Sequence, residues 1–130
     1  MIKLLLVDDE TGITDSLKSF FQARGFAVST ANSGEAALAI VKNDKPDIVF
    51  LDIRMRGISG LDVLEKIKGI DKAIKVIMLT IHEEKEIMDK AMSLGADEYI
   101  TKPFRVDYLE EVVIKKVNEL MKGKHNEPIR

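Results

Sequence analysis

Residues 4–10 read LLLVDDE, an apolar run that passes directly into three acidic side chains. A short apolar run rich in branched residues is typical of a buried β-strand. Neighbouring carboxylates repel one another, so clustering them at a strand end costs free energy unless something offsets their charge. The stretch therefore predicts a buried first strand that ends in Asp8, Asp9 and Glu10, with a lysine, a metal ion or water close to them.

Four further apolar runs follow the first one along the chain. The predicted strands span residues 2–7, 27–30, 48–51, 76–80 and 98–101. The segments between them carry apolar residues at helical spacing, as at Ile13, Leu17 and Phe21. Strands that alternate with helices form right-handed crossovers and a parallel sheet with helices on both faces. The predicted fold is α/β, a (βα)5 doubly wound five-stranded parallel sheet.

Capping residues predict where several helices begin and end. Asn32, three residues before Glu35, predicts the start of the second helix, and Ser59 the start of the third. Three acids would favour the first turn of the fourth helix through the helix dipole: Glu83, Glu84 and Glu86. Glycines predict the ends of the first, fourth and fifth helices: Gly25, Gly95 and Gly123.

Composition and charge limit the function classes. The chain has 130 residues, the usual size of one domain, and a net charge of −2, which gives no strong attraction for nucleic acid or an anionic membrane. It has no cysteine, and no apolar stretch is long enough to span a bilayer. The first strand begins too close to Met1 to leave room for a signal peptide. We expect a cytoplasmic domain over residues 1–122 and a flexible tail or linker stub over 123–130.

Reactive side chains fall at the ends of four predicted strands. Ligands of an open α/β sheet bind outside the carboxyl ends of its strands. The residues at these positions are Asp8 and Asp9, Asp52, Thr80 and Lys102. Carboxylates without histidine or cysteine form an oxygen site that suits Mg²⁺, with Mn²⁺ as a possible substitute. Asp52 could attack phosphorus as a nucleophile, while Lys102 and Thr80 stabilise the phosphoryl oxygens.

A purely structural interpretation exists for each of these residues. Asp9 or Thr11 could cap the first helix, and a single threonine or lysine after a strand is common. The joint pattern of an acidic pair, a further acid, a threonine and a Lys–Pro pair, each after its own strand, favours a functional site.

Four stretches, in combination and order, resemble the receiver domain of bacterial response regulators, the phosphate-accepting part of two-component signalling. They are LLLVDDE (4–10), DIVFLDIRMRGISG (47–60), VIMLT (76–80) and GADEYITKPF (95–104). The resemblance covers about residues 2–122. It implies the flavodoxin-like strand order 2-1-3-4-5.

The resemblance also implies roles in phosphoryl transfer. Asp52 would be the phosphoacceptor, and Asp8 and Asp9 would be the acidic pair for Mg²⁺, with Asp9 as the more direct ligand. The backbone carbonyl of Arg54 would be a further ligand, and Lys102 would contact the phosphoryl group. A sensor histidine kinase or a phosphotransfer protein would be the donor. No turnover of an external substrate is expected beyond slow hydrolysis of the chain's own aspartyl phosphate.

The resemblance also implies a conformational switch. Thr80 would move toward the phosphoryl group, Tyr99 would turn inward, and the Lys102–Pro103 bond would be cis. The output face would be formed by the fourth helix, the fifth strand and the fifth helix, with these residues: Lys85, Met88, Tyr99, Lys115, Lys116 and Glu119. Met88 and Met92 suit an adaptable contact surface, but helical spacing allows them equally to face the core. This face would contact a downstream protein or a missing output domain, or form a homodimer through the fourth and fifth helices.

Two residues depart from the family pattern near the site. The family usually has proline after the methionine that corresponds to Met55, but Arg56 stands here. Arginine could loosen this loop or add a positive charge near the site. The residue after the switch threonine is usually small, but Ile81 stands here and could crowd the pocket. Met55, Arg56 and Ile81 are therefore predicted to modulate access.

Other function classes fit the sequence less well. A flavin-binding protein of this fold needs a phosphate loop rich in Ser, Thr or Gly, and the acids at 8–10 would repel phosphate. A phosphatase that forms an aspartyl phosphate usually has a second acid two residues after the nucleophile, where Arg54 stands. A degenerate receiver would lack part of the reactive set. A DNA-binding role is not expected, because the chain has no basic stripe and no spare pair of helices.

Overall fold

The computed structural model describes residues 1–81 and 85–122. The described residues form one parallel sheet in the order β2-β1-β3-β4-β5, as the resemblance implied. Its strands are β1 (Lys3–Val7), β2 (Ala27–Ala31), β3 (Ile48–Asp52), β4 (Lys75–Ile81) and β5 (Glu98–Lys102). The predicted doubly wound α/β class is confirmed.

Helices connect the strands and follow the last one. They are α1 (Thr11–Gln22), α2 (Gly34–Asp44), α3 (Gly60–Ile70) and α4 (Lys85–Ser93). The last helix, α5, consists of three consecutive segments: α-helical Val106–Tyr108, a π-helical turn Leu109–Val113 and α-helical Ile114–Met121. None of these helices is long and apolar enough to cross a membrane.

The apolar runs of the strands are unbroken because both faces of the sheet are buried. Successive side chains of a strand point to opposite faces. Leu5 and Val49 belong to the core that includes residues of α2, α3 and α4. Leu4 and Phe50 belong to the core that includes residues of α1 and α5. Parallel strands covered on both faces read as continuous hydrophobic segments rather than alternating ones.

The helix starts agree with the sequence at one position and differ at two. Ser59 caps α3, and its hydroxyl accepts a hydrogen bond from the Asp62 N–H. The prediction for α2 is wrong by one residue, because the adjacent Ser33 and not Asn32 is the N-cap. For α1 the structural alternative, a cap by Asp9 or Thr11, is not found, since Glu10 occupies the cap without a side-chain hydrogen bond.

The fourth helix corrects the predicted output face. Met88 is 7% exposed and packs in the core on the α2–α3–α4 side, so its expected place on an interaction surface is wrong. Ala91 lies three residues later on the same buried side of α4. Met92 is 43% exposed and remains available for contact. Glu86 lies in the first turn of α4, whereas Glu83 and Glu84 are outside the described residues.

The C-terminal helix bears on the predicted domain boundary at residue 122. Helix α5 reaches Met121, which is buried, so ordered packing extends to the end of the predicted domain. Gly123 and the predicted tail at 123–130 lie outside the described residues. The division at residue 122 stays a prediction.

Candidate functional site

Parallel pairing brings the predicted reactive residues to one edge of the sheet. Asp8 follows β1 directly, Asp52 is the last residue of β3, and Lys102 is the last residue of β5. Strand β4 lies between β3 and β5, and its residues pair in register with both neighbours: Asp52 with Leu79, and Ile81 with Lys102. The carboxyl ends of these strands therefore meet at one place, as the sequence predicted.

Three carboxylates meet at this edge. Asp8, Asp9 and Asp52 each offer an oxygen, and these oxygens all lie within 4.8 Å of one another. Asp8 is fully buried and Asp52 is 5% exposed, whereas Asp9 is partly exposed. The Glu10 backbone N–H donates to Asp8 Oδ1 over 3.0 Å and so orients this side chain. The predicted acidic cluster is present.

Lys102 supplies a positive charge to the cluster. Its Nζ lies 2.8 Å from Asp8 Oδ2, 3.5 Å from Asp52 Oδ1 and 3.8 Å from Glu10 Oε1. The lysine side chain is only 13% exposed, so its contacts with the buried Asp8 and Asp52 are poorly screened by solvent, whereas the Glu10 side chain is 66% exposed. No role in the pocket was predicted for Glu10. Its position directly after Asp8 and Asp9 in the sequence could have indicated that it lies near the same cation.

Burial sets the protonation of this pocket. Burial and the neighbouring Asp8 carboxylate raise the pKa of Asp52 to about 7, although Lys102 and the Arg54 backbone N–H act in the opposite direction. Burial alone would lower the pKa of Lys102, but Asp8, Asp52 and Glu10 together outweigh burial and raise it above its ordinary value. The ammonium therefore stays charged while Asp52 titrates near neutral pH.

The donor set fits a divalent cation. Asp8 Oδ2 is buried, and Lys102 Nζ lies 2.8 Å from it. Three carboxylates face one ammonium, so a charge of +2 would balance the cluster. A set of oxygen ligands suits Mg²⁺ or Mn²⁺.

The loop after β3 is held close to Asp52. The Arg54 backbone N–H donates to Asp52 Oδ1 over 3.3 Å, and the Gly60 N–H donates to the Ile53 carbonyl over 3.0 Å. A Cβ atom on Gly60 would lie 2.3 Å from the Asp52 carbonyl oxygen. Only glycine fits at this point, so the start of α3 is packed directly against the backbone of Asp52.

Two residues predicted to modulate access lie in the same loop. The Arg56 backbone N–H donates to Asp9 Oδ2 over 3.2 Å, and Arg56 Nε lies 3.5 Å from the same oxygen. Met55 is partly buried and packs against the core on the α2–α3–α4 side. The contact of Arg56 with Asp9 was not foreseen, because the sequence does not reveal the path of the loop.

The end of β4 forms one wall of the pocket. The buried Thr80 hydroxyl donates to the carbonyl of Ile81 over 2.9 Å. Ile81 is 52% exposed and lines a cleft of about 210 Å³ together with Asp52, Thr80 and Lys102. It also lines a larger groove of about 590 Å³ between α1 and the start of α5. Ile81 therefore stands between the acidic pocket and this groove.

Two further predicted residues lie on or next to β5. The Lys102–Pro103 peptide bond is cis, as the resemblance implied. Tyr99 is on the edge strand of the sheet, and 44% of its surface is exposed. The aromatic side chain thus starts from an outward position.

Comparisons with known proteins agree with this geometry. Residues 4–114 match the family described as the response regulator receiver domain. Sporulation initiation phosphotransferase F of Bacillus subtilis is 36% identical over 87% of this chain and 91% of its own length. Response regulator SaeR of Staphylococcus aureus is 37% identical over 99% of this chain, which spans 56% of that relative. The chain thus matches nearly all of one relative and about half of the other.

Solved structures show the same fold. A CheY-like response regulator receiver domain protein from Methanospirillum hungatei has a TM-score of 0.86 and 31% identity, covering 94% of this chain and 98% of its own. NtrX from Brucella abortus has the same TM-score and identity over 95% of this chain, but only 29% of NtrX is covered. The family match over most of the chain, the two relatives and the shared arrangement of strands lead to one conclusion: this chain belongs to the response regulator receiver domain family.

Proposed function

We propose that this chain is a phospho-accepting signalling domain of a two-component system, in which Asp52 receives a phosphoryl group. The observation that carries the proposal is the position of Lys102 Nζ, 2.8 Å from Asp8 and 3.5 Å from Asp52 in a buried pocket. Phosphoryl transfer to an aspartate needs a nucleophilic carboxylate, a nearby ammonium group and an acidic cluster whose charge is balanced.

The donor is the phosphohistidine of a sensor histidine kinase or of a phosphotransfer protein. A carboxylate oxygen of Asp52 attacks phosphorus, so an O–P bond forms while the P–N bond to the donor imidazole breaks. The electron pair of the broken bond goes to the imidazole nitrogen. Lys102 keeps its proton and donates hydrogen bonds to the phosphoryl oxygens.

The oxygens of Asp8, Asp9 and Asp52 would hold Mg²⁺ together with the backbone carbonyl of Arg54, and Mn²⁺ would be a possible substitute. When bound, the ion neutralises part of the charge on the carboxylates and on the phosphoryl oxygens. Asp52 must be ionised to attack phosphorus. Because its pKa is raised, positive charges around it are needed to favour the ionised form.

The signal leaves the pocket through Thr80 and Tyr99. The Thr80 hydroxyl now donates to Ile81, so it must break this bond to reach a phosphoryl oxygen. Its displacement makes room for Tyr99 to turn inward from its exposed position. A phosphoryl group shifts the equilibrium between the two arrangements of Thr80 and Tyr99 only to the extent that it stabilises one of them more than the other.

The output face is the surface of α4, β5 and α5. An ion pair between Lys116 Nζ and Glu98 Oε2, 3.2 Å apart, already links α5 to β5 there. Lys85, Lys115 and Glu119 are exposed on the two helices. A downstream protein, an output domain on the same polypeptide or a second copy of the chain contacts this face in the cytoplasm. The domain turns over no external substrate, because Arg54 stands where a second acid would be needed.

Chemical trapping of the acyl phosphate tests this function. Phosphoramidate supplies a small P–N donor, and borohydride reduces an aspartyl phosphate to homoserine, which peptide mass spectrometry locates. We expect homoserine at position 52 after treatment with phosphoramidate and Mg²⁺. Its absence there, or its presence at Asp8 or Asp9 instead, would contradict the assigned phosphoacceptor.

A further inference from the structure

The loop after β3 places a cation against one of the candidate metal ligands. The Arg56 backbone N–H donates to Asp9 Oδ2 over 3.2 Å. The Nε atom of Arg56 lies 3.5 Å from the same oxygen. Two groups of a single residue therefore converge on one carboxylate oxygen of the acidic cluster.

We propose that Arg56 competes with a divalent cation for the Asp9 carboxylate and so lowers the metal affinity of the pocket. This inference rests on the magnesium site of the proposed function. A metal ion needs the lone pairs of its carboxylate ligands, and each N–H directed at Asp9 uses one of them. The guanidinium charge also repels an incoming cation.

Exposure explains why Asp9 is the ligand that the loop can control. Asp8 is fully buried and is paired with Lys102, whereas the Asp9 side chain is 20% exposed. A side chain from a surface loop can reach Asp9 without entering the pocket. Arg56 therefore acts on the outer ligand and leaves the contact of Lys102 with Asp52 in place.

The backbone contact depends on the residue type at position 56. Proline, the residue that the family usually carries after this methionine, has no N–H and cannot donate to Asp9. Arginine therefore supplies two contacts that proline lacks: the backbone hydrogen bond and the side-chain charge. The residue at position 56 therefore affects the metal affinity of the chain, although it is not itself a metal ligand.

The expected effect is modest because the Arg56 side chain is 90% exposed. Exposed ion pairs contribute little, so removing the guanidinium should tighten metal binding roughly two- to fivefold. The gain should shrink between low salt and about 1 M salt, since screening weakens the repulsion. An Arg56→Pro variant should gain at least as much as Arg56→Ala, because it loses the N–H as well.

Direct metal titration tests the proposal without any phosphoryl donor. Free Mn²⁺ is followed by electron paramagnetic resonance, and Mg²⁺ binding is followed by calorimetry, for the native chain, Arg56→Ala and Arg56→Lys. The lysine variant keeps the charge and should bind metal nearly as the native chain does. Arg105→Ala is the matched control, since Arg105 Nε lies 3.5 Å from Asp107 Oδ1 and the Arg105 side chain is 81% exposed.

The outcomes separate this proposal from the function on which it rests. Tighter binding by Arg56→Ala, with Arg56→Lys and Arg105→Ala close to the native chain, supports the competition. Equal or weaker binding by Arg56→Ala overturns it, and so does an equal gain in Arg105→Ala, which would reflect net charge only. A native chain that binds neither ion would overturn the magnesium site itself, and the competition with it.

Discussion

Lys102 and Asp8 form a buried ion pair at the carboxyl edge of the sheet, with Nζ 2.8 Å from Oδ2. Asp8 has no solvent exposure, so this lysine is the main cation that compensates its charge within the described residues in the absence of metal. The pair links β5 to the end of β1, two strands that are not neighbours in the sheet. It therefore contributes both to the stability of the pocket and to its chemistry.

Replacing Lys102 by Met should destabilise the metal-free chain. Loss of one partner leaves Asp8 buried beside Asp52 without its cation, which costs about 3 kcal/mol in the free energy of unfolding. Urea unfolding in EDTA measures this cost. The double variant Asp8→Asn/Lys102→Met is the control, and its cost should be smaller than the sum of the two single costs. Additive costs would show that the two residues do not interact.

The stability of the metal-free chain should fall with pH because of Asp52. Its folded-state pKa of about 7 lies above its ordinary value of 3.8. A raised carboxyl pKa stabilises the fold below the unfolded pKa, and this contribution is lost as the pH rises to the folded pKa. Between pH 5 and pH 8, the native chain should lose about 2 kcal/mol relative to Asp52→Asn. Urea unfolding in EDTA at both pH values measures the difference, and a pH-independent difference would contradict it.

Gly60→Ala should disturb Asp52, the proposed phosphoacceptor, through the backbone. The added Cβ would lie 2.3 Å from the Asp52 carbonyl oxygen, so α3 or the end of β3 must shift. We expect a loss of about 2 kcal/mol in the free energy of unfolding, together with slower phosphorylation. Gly69→Ala in the same helix is the control, because nothing lies within 4 Å of its Cβ. That variant should gain up to about 1 kcal/mol. Equal effects of the two substitutions would argue against the packing at Gly60.

Ile81→Ala should make the pocket around Asp52 more accessible. Ile81 lines the cleft that contains Asp52 and Lys102, so we expect its bulk to restrict the approach of donors and of water. We expect faster phosphorylation by acetyl phosphate or faster loss of the phosphoryl group, measured by intact mass over time. Val106→Ala removes an exposed apolar side chain that lines the larger groove and is not among the residues around the Asp52 cleft, so its rates should not change. Unchanged rates in Ile81→Ala would contradict the effect of its bulk.

Much of the site could be predicted because its reactive residues lie where the apolar run of a buried strand meets a polar side chain. Asp52 and Lys102 end β3 and β5, and Thr80 lies one residue before the end of β4. The fold then brings these ends together at one edge. The strand order was not contained in this pattern and came from the resemblance.

Other features depend on packing that the sequence pattern does not reveal. Asn32 and Ser33 are adjacent, and both residue types can cap a helix. The sequence therefore does not determine which of them is the N-cap, and in the structure it is Ser33. The periodicity of α4 allows either orientation, and packing against the sheet places Met88 inside. The contact of Arg56 with Asp9 depends on the path of a loop. The close approach of Gly60 to Asp52 depends on how α3 docks.

Phosphorylation of Asp52 is tested most directly by intact mass after incubation with acetyl phosphate, with and without Mg²⁺, beside an Asp52→Asn variant. We expect a gain of one phosphoryl mass by the native chain with Mg²⁺, little gain with EDTA, and no gain by the variant. An equal gain in Asp52→Asn would contradict the assignment of the phosphoacceptor. An equal gain in EDTA would contradict the role of the metal.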